Sequence, residues 1–456
     1  MDTSEETGTG LRRELSGRQV GMIALGGAIG TGLFLGSGLA ISSAGPAVLV
    51  AYVVGALAAL ALAYALAEMV VVHPEAGGFG AISQRYLGGL ASFVQRWLYW
   101  AAQVVNLGSE VVAAGIYVQF WYPALPLWVP VVAFAAIMLA VNAAAVGFFG
   151  EFEYWFAMVK VVTIVVFVLL GLTYLVVGLP GHPAVGFSVL AQDGLLPNGI
   201  GAVWMALTAV AFSYLGTEAV AMTAAESRNP GRDVPRAARN MVLRLGLFYV
   251  LAVFVLVSIL PWNSVSGGGV EQSPFVRLFA MAGIPAAAGV MNFVVLTAAL
   301  SAMNTNLYVT SRMTLSLARD GYLPRWFARV GRRGAPRRAL LLSAAGLALA
   351  AIASATSPHA AFPVLLAMAL FGAGLTWILI FASQLAFRRR RAAEGLPPSP
   401  VQLPGSPVTA VLAVVFLAAV LVTLLFDEDY WIAWLAGVPF VVLLCLAYAL
   451  VRRRGG

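Results

Sequence analysis

Apolar runs of about 20 residues, separated by short polar links, recur along the whole chain of 456 residues. A run of this length crosses the hydrocarbon core of a bilayer, about 30 Å thick, as one α-helix. The pattern therefore predicts twelve membrane-spanning helices in an all-α polytopic membrane protein. The predicted bounds are 20–43, 46–72, 93–122, 127–145, 155–179, 199–226, 240–261, 285–316, 338–356, 361–386, 407–426 and 430–451.

The first apolar run contains an unusual density of glycine between Gly26 and Gly38. Glycine costs a helix about 1 kcal/mol relative to alanine, so Gly30-Thr31-Gly32 predicts a helix break at mid-membrane depth. A break exposes peptide N–H and C=O groups, which are tolerated only where they line a cavity inside protein. Such groups suit a ligand with both a carboxylate and an ammonium. The alternative is close helix packing through small residues at every fourth position. The surroundings argue against a phosphate-binding loop, because no strand precedes the glycines and no lysine follows them.

The sixth apolar run has a similar weak point at Gly216, within the stretch 211–218. The first and sixth runs each open a half of five spans, and an odd number of spans inverts the second half in the membrane. Interrupted helices at matching positions of two halves are a sequence signature of a transporter's substrate site. The pairing therefore favours breaks over close packing.

The spans divide the chain into five parts. These are an N-terminal tail (1–19), a first repeat with helices 1–5 (20–180), a second repeat with helices 6–10 (198–390), a linker (391–406), and helices 11–12 with a tail (407–456). The segment 264–283 is too polar to span and is predicted to form an exterior flap with one or two short helices.

Composition supports a membrane protein, because 61% of the residues are hydrophobic and the mean hydropathy is +0.90. Soluble domains are about 45–50% apolar. The net charge of +8 comes from arginine, which outnumbers the single lysine. On the predicted spans, every arginine except Arg277 falls on the side of the N-terminus, which indicates that both termini are cytoplasmic. The positive charge thus indicates orientation and contact with anionic lipid rather than nucleic-acid binding.

Reactive side chains are sparse. The first ten residues lack the apolar run of a cleavable signal peptide. A single cysteine, Cys445, excludes an intrachain disulfide framework, and three histidines lie far apart at predicted loops. We therefore expect no metal site, no cofactor and no enzymatic activity.

Several motifs together resemble the amino-acid permeases of the amino acid–polyamine–organocation superfamily, and within it the bacterial amino acid transporter family. The resemblance covers about residues 15–390 and implies a five-plus-five inverted-repeat fold (LeuT type) with two added helices. It also implies amino-acid uptake driven by protons. The matching stretches are 26–38, 151–161, 212–218, 225–230, 303–312 and 317–321.

The same resemblance implies which residues bind substrate. Backbone N–H groups near Thr31 and Gly32 would bind its carboxylate. The carbonyl of Ala28, with those near Phe212, Ser213 and Leu215, would bind its ammonium, and Phe212 would close over it as a gate. The helix-dipole argument agrees with this arrangement. The implied substrate-binding residues are Ala28, Gly30, Thr31, Gly32, Phe212, Ser213, Leu215 and Gly216.

Lys160, the only lysine, lies within the predicted fifth span. A buried lysine can lose its proton, which arginine does not, so Lys160 is a candidate for proton coupling. The resemblance places its ammonium where sodium-coupled members of the fold hold a sodium ion, between the first and eighth spans. The alternative is a lysine that extends to the cytoplasmic border.

Two glutamates are predicted at membrane depth, where charge is tolerated only beside a cavity or a partner. Glu218 follows Gly216 and is predicted either to carry a proton or to hold the break by hydrogen bonding. Glu110, midway along the third span, is predicted to face the cavity, as a proton site or as a partner for a cationic substrate.

Four more glutamates are predicted near the cytoplasmic edge. Glu68 and Glu226 are expected to pair with arginines. Glu151 and Glu153 are placed just before the fifth span, where a pairing with Arg18 or Arg85 would form a gate.

The sequence thus predicts a proton-coupled amino-acid permease of the cytoplasmic membrane, working by alternating access with an amino acid, a proton and lipid as its partners. An exchanger or facilitator without proton coupling and an amino-acid-sensing receptor remain alternatives. Small neutral, 4-aminobutyrate-like, aromatic and cationic amino acids remain open as substrates.

Overall fold

A computed structural model describes residues 15–34, 36–74, 78–143, 146–179, 181–265, 274–281, 286–331, 335–426 and 430–455. In these ranges the regular structure is helical, apart from two isolated bridges, Leu15–Ser227 and Leu179–His182.

In chain order, the α-helices of these ranges are α1 (Gly17–Ala28), α2 (Thr31–Phe34), α3 (Gly36–Ala44), α4 (Val48–Val70), α5 (Gly78–Tyr86), α6 (Gly89–Gln119), α7 (Trp128–Ala143), α8 (Val146–Val176), α9 (Ser188–Ala191), α10 (Gly199–Ser213), α11 (Pro230–Ile259), α12 (Pro274–Met281), α13 (Ala287–Arg319), α14 (Arg337–Ser343), α15 (Ala345–Thr356), α16 (Pro358–Ala393), α17 (Val408–Thr423) and α18 (Ile432–Gly455).

Nine helical stretches of the described ranges are long and apolar enough to cross a membrane. The first, fourth and sixth predicted spans are not among them as separate stretches. The first predicted span is interrupted after Ala28, and its second part belongs to the stretch Thr31–Val70. The fourth predicted span is the shorter helix α7. In the sixth predicted span, the α-helix ends at Ser213. The nine stretches are Thr31–Val70, Gly89–Gln119, Phe149–Val176, Pro230–Ile259, Gly289–Arg319, Arg337–Thr356, Val364–Ala393, Val408–Phe426 and Ile432–Arg452.

Helix α1 begins with a capping box. The Ser16 hydroxyl accepts a hydrogen bond from the backbone N–H of Gln19, and the Gln19 side chain accepts one from the N–H of Ser16 at 3.0 Å. These two bonds satisfy N–H groups that a helix start leaves without partners. From this start α1 runs into the protein interior, where it packs against α8, α11 and α13.

The fifth span begins earlier than predicted, because α8 starts at Val146 rather than at 155. Glu151 and Glu153 therefore lie inside the helix, so their predicted place just before the span is wrong, and the gate with Arg18 or Arg85 stays a prediction. Glu151 is exposed, Glu153 is buried, and Arg18 donates instead to the hydroxyl of Tyr154 at 2.6 Å.

Glu226 pairs with an arginine as predicted. Arg312 Nε and Nη2 donate to its two carboxylate oxygens at 2.8 and 3.3 Å, and the guanidinium lies 3.9 Å from the centre of the Tyr308 ring. The bidentate geometry connects α13 to the end of the helical segment that follows α10. Leu15 joins the same junction, because its N–H donates to the carbonyl of Glu226.

The prediction that Glu68 pairs with an arginine is also confirmed. Arg388 Nε donates to Glu68 Oε1 at 2.6 Å, and the N–H of Leu403 donates to Oε2 at 2.9 Å. Ser399 Oγ donates to the Glu68 carbonyl at 2.8 Å. The segment between α16 and α17 is therefore held against the end of α4.

We predict that Glu68→Ala lowers stability far more than Glu394→Ala. Glu68 is 2% exposed, and removing one partner of a buried pair costs about 3–5 kcal/mol. The matched pair Arg390–Glu394 is 57% and 49% exposed, and such pairs contribute about 0–1 kcal/mol. Thermal unfolding of the purified variants in detergent measures the difference. Equal shifts of the midpoint would contradict the anchoring role of Glu68.

Candidate functional site

The first helix breaks where the glycines predict. Helix α1 ends at Ala28, Ile29 has φ −88° and ψ 86°, outside the helical region, and α2 begins at Thr31. Thr31 and Ile29 are fully buried. The peptide groups freed by the break therefore lie within the protein, where each needs a partner.

The second break follows α10, which ends at Ser213. Gly216 has φ +91°, a left-handed conformation that glycine adopts without strain, and a 3-10 helix continues over Thr217–Ala225. A Cβ atom at residue 216 would lie closer than 3.0 Å to the carbonyl oxygen of Gly27. The two breaks therefore touch, and the absence of a side chain at Gly216 allows the contact.

At the amino end of α2, a side chain of the protein takes the place that the sequence assigns to a substrate carboxylate. The backbone N–H of Thr31 faces both oxygens of the Glu110 carboxylate, at 3.3 and 3.4 Å. Glu110 lies on α6, is 3% exposed and packs against Gly30, where a Cβ atom would collide with its Oε1. The structure thus brings Glu110 into the predicted headgroup site.

Hydroxyl groups contact the carbonyls of the first break. Tyr249 on α11 donates to the carbonyl of Ala28 at 2.8 Å, and Ser213 donates to the carbonyl of Gly32 at 2.9 Å. Tyr52 lies 3.3 Å from the Ser213 hydroxyl. The sequence analysis did not identify Tyr249. The one feature that could have indicated it is a tyrosine hydroxyl in the middle of an apolar run.

Two further predicted site residues belong to the second break. Leu215 is 7% exposed and lies between α10 and the 3-10 helix. The backbone of Phe212 belongs to α10, but its side chain lies outside the described part of the chain, so the gate assigned to it stays a prediction.

Lys160 points into the protein, which rules out the alternative of a side chain that extends to the membrane border. It is fully buried, and its Nζ donates to the carbonyls of Gly26 and Ile29, at 2.6 Å each. These carbonyls belong to the end of α1, where the helix dipole and freed C=O groups favour a cation. The ammonium therefore binds directly to the break.

A second carboxylate lies close to Lys160. Glu153, also on α8, is fully buried and accepts hydrogen bonds from Ser301 Oγ and, at 3.0 Å, from Asn304 Nδ2 on α13. It packs against the bare Cα of Gly26. The sequence contains a signal for this placement. Glu153 and Lys160 are seven positions apart, and residues at this spacing lie on the same face of a helix.

Glu218 bonds to the second break. Its Oε1 accepts from Gln103 Nε2 at 2.9 Å and from the N–H of Gly216 at 3.3 Å, and its Oε2 accepts from Trp377 Nε1 at 3.2 Å. These contacts match the predicted hydrogen-bonding role. Within the described residues, no group of three or more His, Cys, Asp or Glu side chains is placed to hold a metal ion.

We predict that Gly216→Ala destabilises the protein more than Gly199→Ala. Both glycines have positive φ, at +91° and +74°, and the left-handed conformation costs a residue with a Cβ about 1–2 kcal/mol. A Cβ atom at Gly199 meets nothing within 4 Å, whereas one at Gly216 collides with the backbone of Gly27. Thermal unfolding of both variants measures the difference, and equal midpoints would show that the two breaks do not touch.

Comparison with known proteins gives a consistent result. The family model described as amino acid permease matches residues 19–455. The chain is 38% identical to the uncharacterized amino acid permease YtnA of Bacillus subtilis (strain 168), with 96% of this chain and 95% of YtnA covered. It is 37% identical to the aromatic amino acid transport protein AroP of Salmonella typhimurium (strain SL1344), covering 97% and 96%. It is also 37% identical to a putative histidine permease of Bacillus subtilis (strain 168), covering 99% and 96%.

The match extends over nearly the whole chain and nearly the whole of each relative. The structure agrees with it, because its described residues form helices long and apolar enough to cross a bilayer. The chain is a multi-pass membrane protein and belongs to the amino acid permease family.

Proposed function

We propose that this protein takes up an amino acid together with a proton across the cytoplasmic membrane, by alternating access, with both termini in the cytoplasm. The observation that supports this most is the contact of Lys160 with two carbonyls of the broken first helix. One titratable side chain thereby bonds directly to the backbone proposed to bind substrate. A change in its protonation would change the geometry of that backbone.

The substrate headgroup is proposed to bind at the first break. Its carboxylate would replace that of Glu110 at the N–H of Thr31, since two carboxylates repel each other at one donor. Its ammonium would bind the carbonyl of Ala28, whose oxygen has a second lone pair besides the one used by Tyr249. Carbonyls near Ser213 and Leu215 would complete the ammonium site, as in the predicted set.

Exchange of carboxylates offers a physical link between substrate and proton. When the substrate carboxylate arrives, Glu110 leaves its N–H donor and no longer has that partner in its ionised form. A carboxylate without a partner is costly in a buried site, and a proton removes that cost. Glu110 and Lys160 flank the same break, so we propose that a proton taken up with substrate is shared between them. Glu218 is the third proton site of the proposal.

Alternating access requires the two ends of the site to open in turn. On the proposed exterior side, Phe275 of α12 packs edge-on against Phe34 with ring centres 5.0 Å apart, next to Phe167. On the proposed cytoplasmic side, the Arg312–Glu226 pair closes the junction with Leu15. We propose that these contacts separate alternately as the two inverted halves move.

The substrate class follows from a direct screen. Purified protein would be tested for thermal stabilisation by each amino acid, because a ligand that binds only the folded state raises the unfolding midpoint. Aromatic amino acids and histidine are the first to test, since they appear in the names of two relatives. Counterflow of the labelled hit in proteoliposomes then separates a transporter from a receptor, which gives no exchange.

We predict that Lys160→Arg abolishes uptake driven by an imposed pH gradient. Arginine retains the charge and helix orientation but does not release its proton in proteins. Uptake into proteoliposomes should fall to the level of protein-free vesicles, while thermal unfolding confirms that the variant folds. Full gradient-driven uptake by Lys160→Arg would refute the coupling role. Counterflow without gradient-driven uptake in the wild type would indicate an exchanger or facilitator.

We predict that Thr31→Pro weakens substrate binding by about 10- to 100-fold. The change removes one N–H donor to a carboxylate, and such a bond contributes about 1.5–3 kcal/mol. Proline is compatible with the first position of a helix. Thr31→Ser is the control, because it keeps both the N–H and the hydroxyl and loses only a methyl group. Equilibrium binding of the labelled substrate measures both, and equal affinities would count against the headgroup site.

A further inference from the structure

We propose that Glu153 is the acceptor that removes the proton from Lys160 on the cytoplasmic side. The proposal rests on the proton coupling proposed above and adds a second carrier to it. In the transfer, an N–H bond of the Lys160 ammonium breaks, the nitrogen keeps the electron pair, and an O–H bond forms on Glu153. The Glu153 carboxyl then releases that proton to water when the cytoplasmic side opens, and both side chains return to their starting protonation states over one cycle.

The two groups meet at one residue of α1. Lys160 and Glu153 are seven residues apart on α8, which is about two turns and a rise of about 10 Å. Lys160 Nζ donates to the carbonyl of Gly26, and Glu153 Oε1 lies so close to Gly26 that a Cβ atom there would collide with it. Residue 26 is a glycine, so it has no side chain that would separate the Lys160 ammonium from the Glu153 carboxylate. The flexible four-carbon stem of lysine gives the ammonium room to move.

The surroundings of Glu153 suit both of its protonation states. Ser301 Oγ donates to Oε1 of the carboxylate, and a hydroxyl rotates to accept instead when that oxygen carries a proton. Asn304 Nδ2 donates to Oε2 at 3.0 Å, and its Oδ1 accepts from Asn142 at 2.6 Å, which fixes the orientation of the amide. Neither protonation state leaves one of these polar groups without a partner.

The charged groups around Glu153 single out Lys160. The hydrogen-bond partners of Glu153 on α13 and the next amide on α7 are uncharged. On α1, Arg18 donates to the hydroxyl of Tyr154, the neighbouring titratable side chain on α8. On α13, Arg312 is bound to Glu226. Of these three cations, Lys160 is the one that bonds to Gly26, the residue against which Glu153 packs.

A cavity is lined by the sequence neighbours of Glu153 and Gly26, although not by Glu153 itself. A cavity of about 440 Å³ between α1, α8 and α11 is lined by Leu25, next to Gly26 in sequence, and by Tyr154, next to Glu153. Arg18 and arginines from the start of α11 line the same cavity, on the proposed cytoplasmic side. Glu153 is fully buried, and it lies two turns closer to the start of α8 than Lys160 does. In the proposal, water from the cavity reaches its carboxylate when the cytoplasmic side opens.

The test uses Glu153→Gln in proteoliposomes that contain the full-length protein. Glutamine retains the shape and hydrogen bonds but carries no transferable proton. We expect counterflow of a labelled amino acid within about twofold of wild type, because exchange needs no net proton release. We expect accumulation driven by a pH gradient, and substrate-driven proton flux reported by a trapped pH dye, to fall at least about tenfold.

The matched control is Glu151→Gln, two residues away. The Glu151 carboxylate is exposed and accepts a hydrogen bond from Trp155 at 2.9 Å, so this variant should behave as wild type.

Each outcome decides between the proposals. Wild-type proton flux in Glu153→Gln, with uptake lost in Lys160→Arg, would overturn the role of Glu153 and leave the coupling role of Lys160 intact. Loss of counterflow together with uptake would assign Glu153 a structural role and also overturn the inference. Absence of gradient-driven uptake in the wild type would overturn both proposals. If Glu153→Gln does not fold, Glu153→Asp replaces it: slower proton flux with unchanged counterflow is expected, and unchanged flux overturns the inference.

Discussion

A helix that breaks inside a bilayer must find a partner for every peptide group it frees, and the rest of this structure depends on that constraint. Between Ala28 and Thr31 the partners come from other helices. Lys160 on α8, Tyr249 on α11 and Glu110 on α6 each reach the same short stretch of backbone. The break thus determines where these three polar side chains lie. The proposed substrate offers the same chemical groups and would replace them.

The second break shows how closely the two backbones approach. Gly216 lies against the carbonyl of Gly27, and Glu218 fixes the turn by accepting from the N–H of Gly216. Because Ser213 also donates to the carbonyl of Gly32, the two interrupted helices are joined by direct polar contact. The proposed alternating access would use this contact, because a displacement of one helix would then displace the other.

The distribution of cations follows their chemistry. Arginine holds a permanent charge and forms bidentate pairs, and the buried pairs Arg312–Glu226 and Arg388–Glu68 connect helix ends in this way. Lys160 instead donates to backbone carbonyls at the end of α1. Glu153 packs against Gly26 at this helix end, and Glu110 packs against Gly30 just beyond it. A fixed pair resists change, whereas an ammonium held by neutral carbonyls leaves its proton available. The chain uses lysine only at this position.

The sequence alone determined the class of protein, most of the helical stretches long enough to cross a membrane, and the positions of both helix breaks. The length of an apolar run, the helix cost of glycine and the expense of buried charge are local properties that one chain reveals. It also singled out Lys160 and Glu110. It misplaced Glu153, because a boundary error of about nine residues put this glutamate outside the helix, and it did not identify Tyr249.

Only the tertiary structure decided which side chain meets which freed peptide group. Lys160 and Gly26 are 134 positions apart, and Tyr249 and Ala28 are 221 positions apart. Local periodicity predicts the face of a helix that is buried, but it does not predict the neighbour on that face. That neighbour depends on how α8, α11 and α13 pack around α1, and this packing is decided by the shapes of all four helices together.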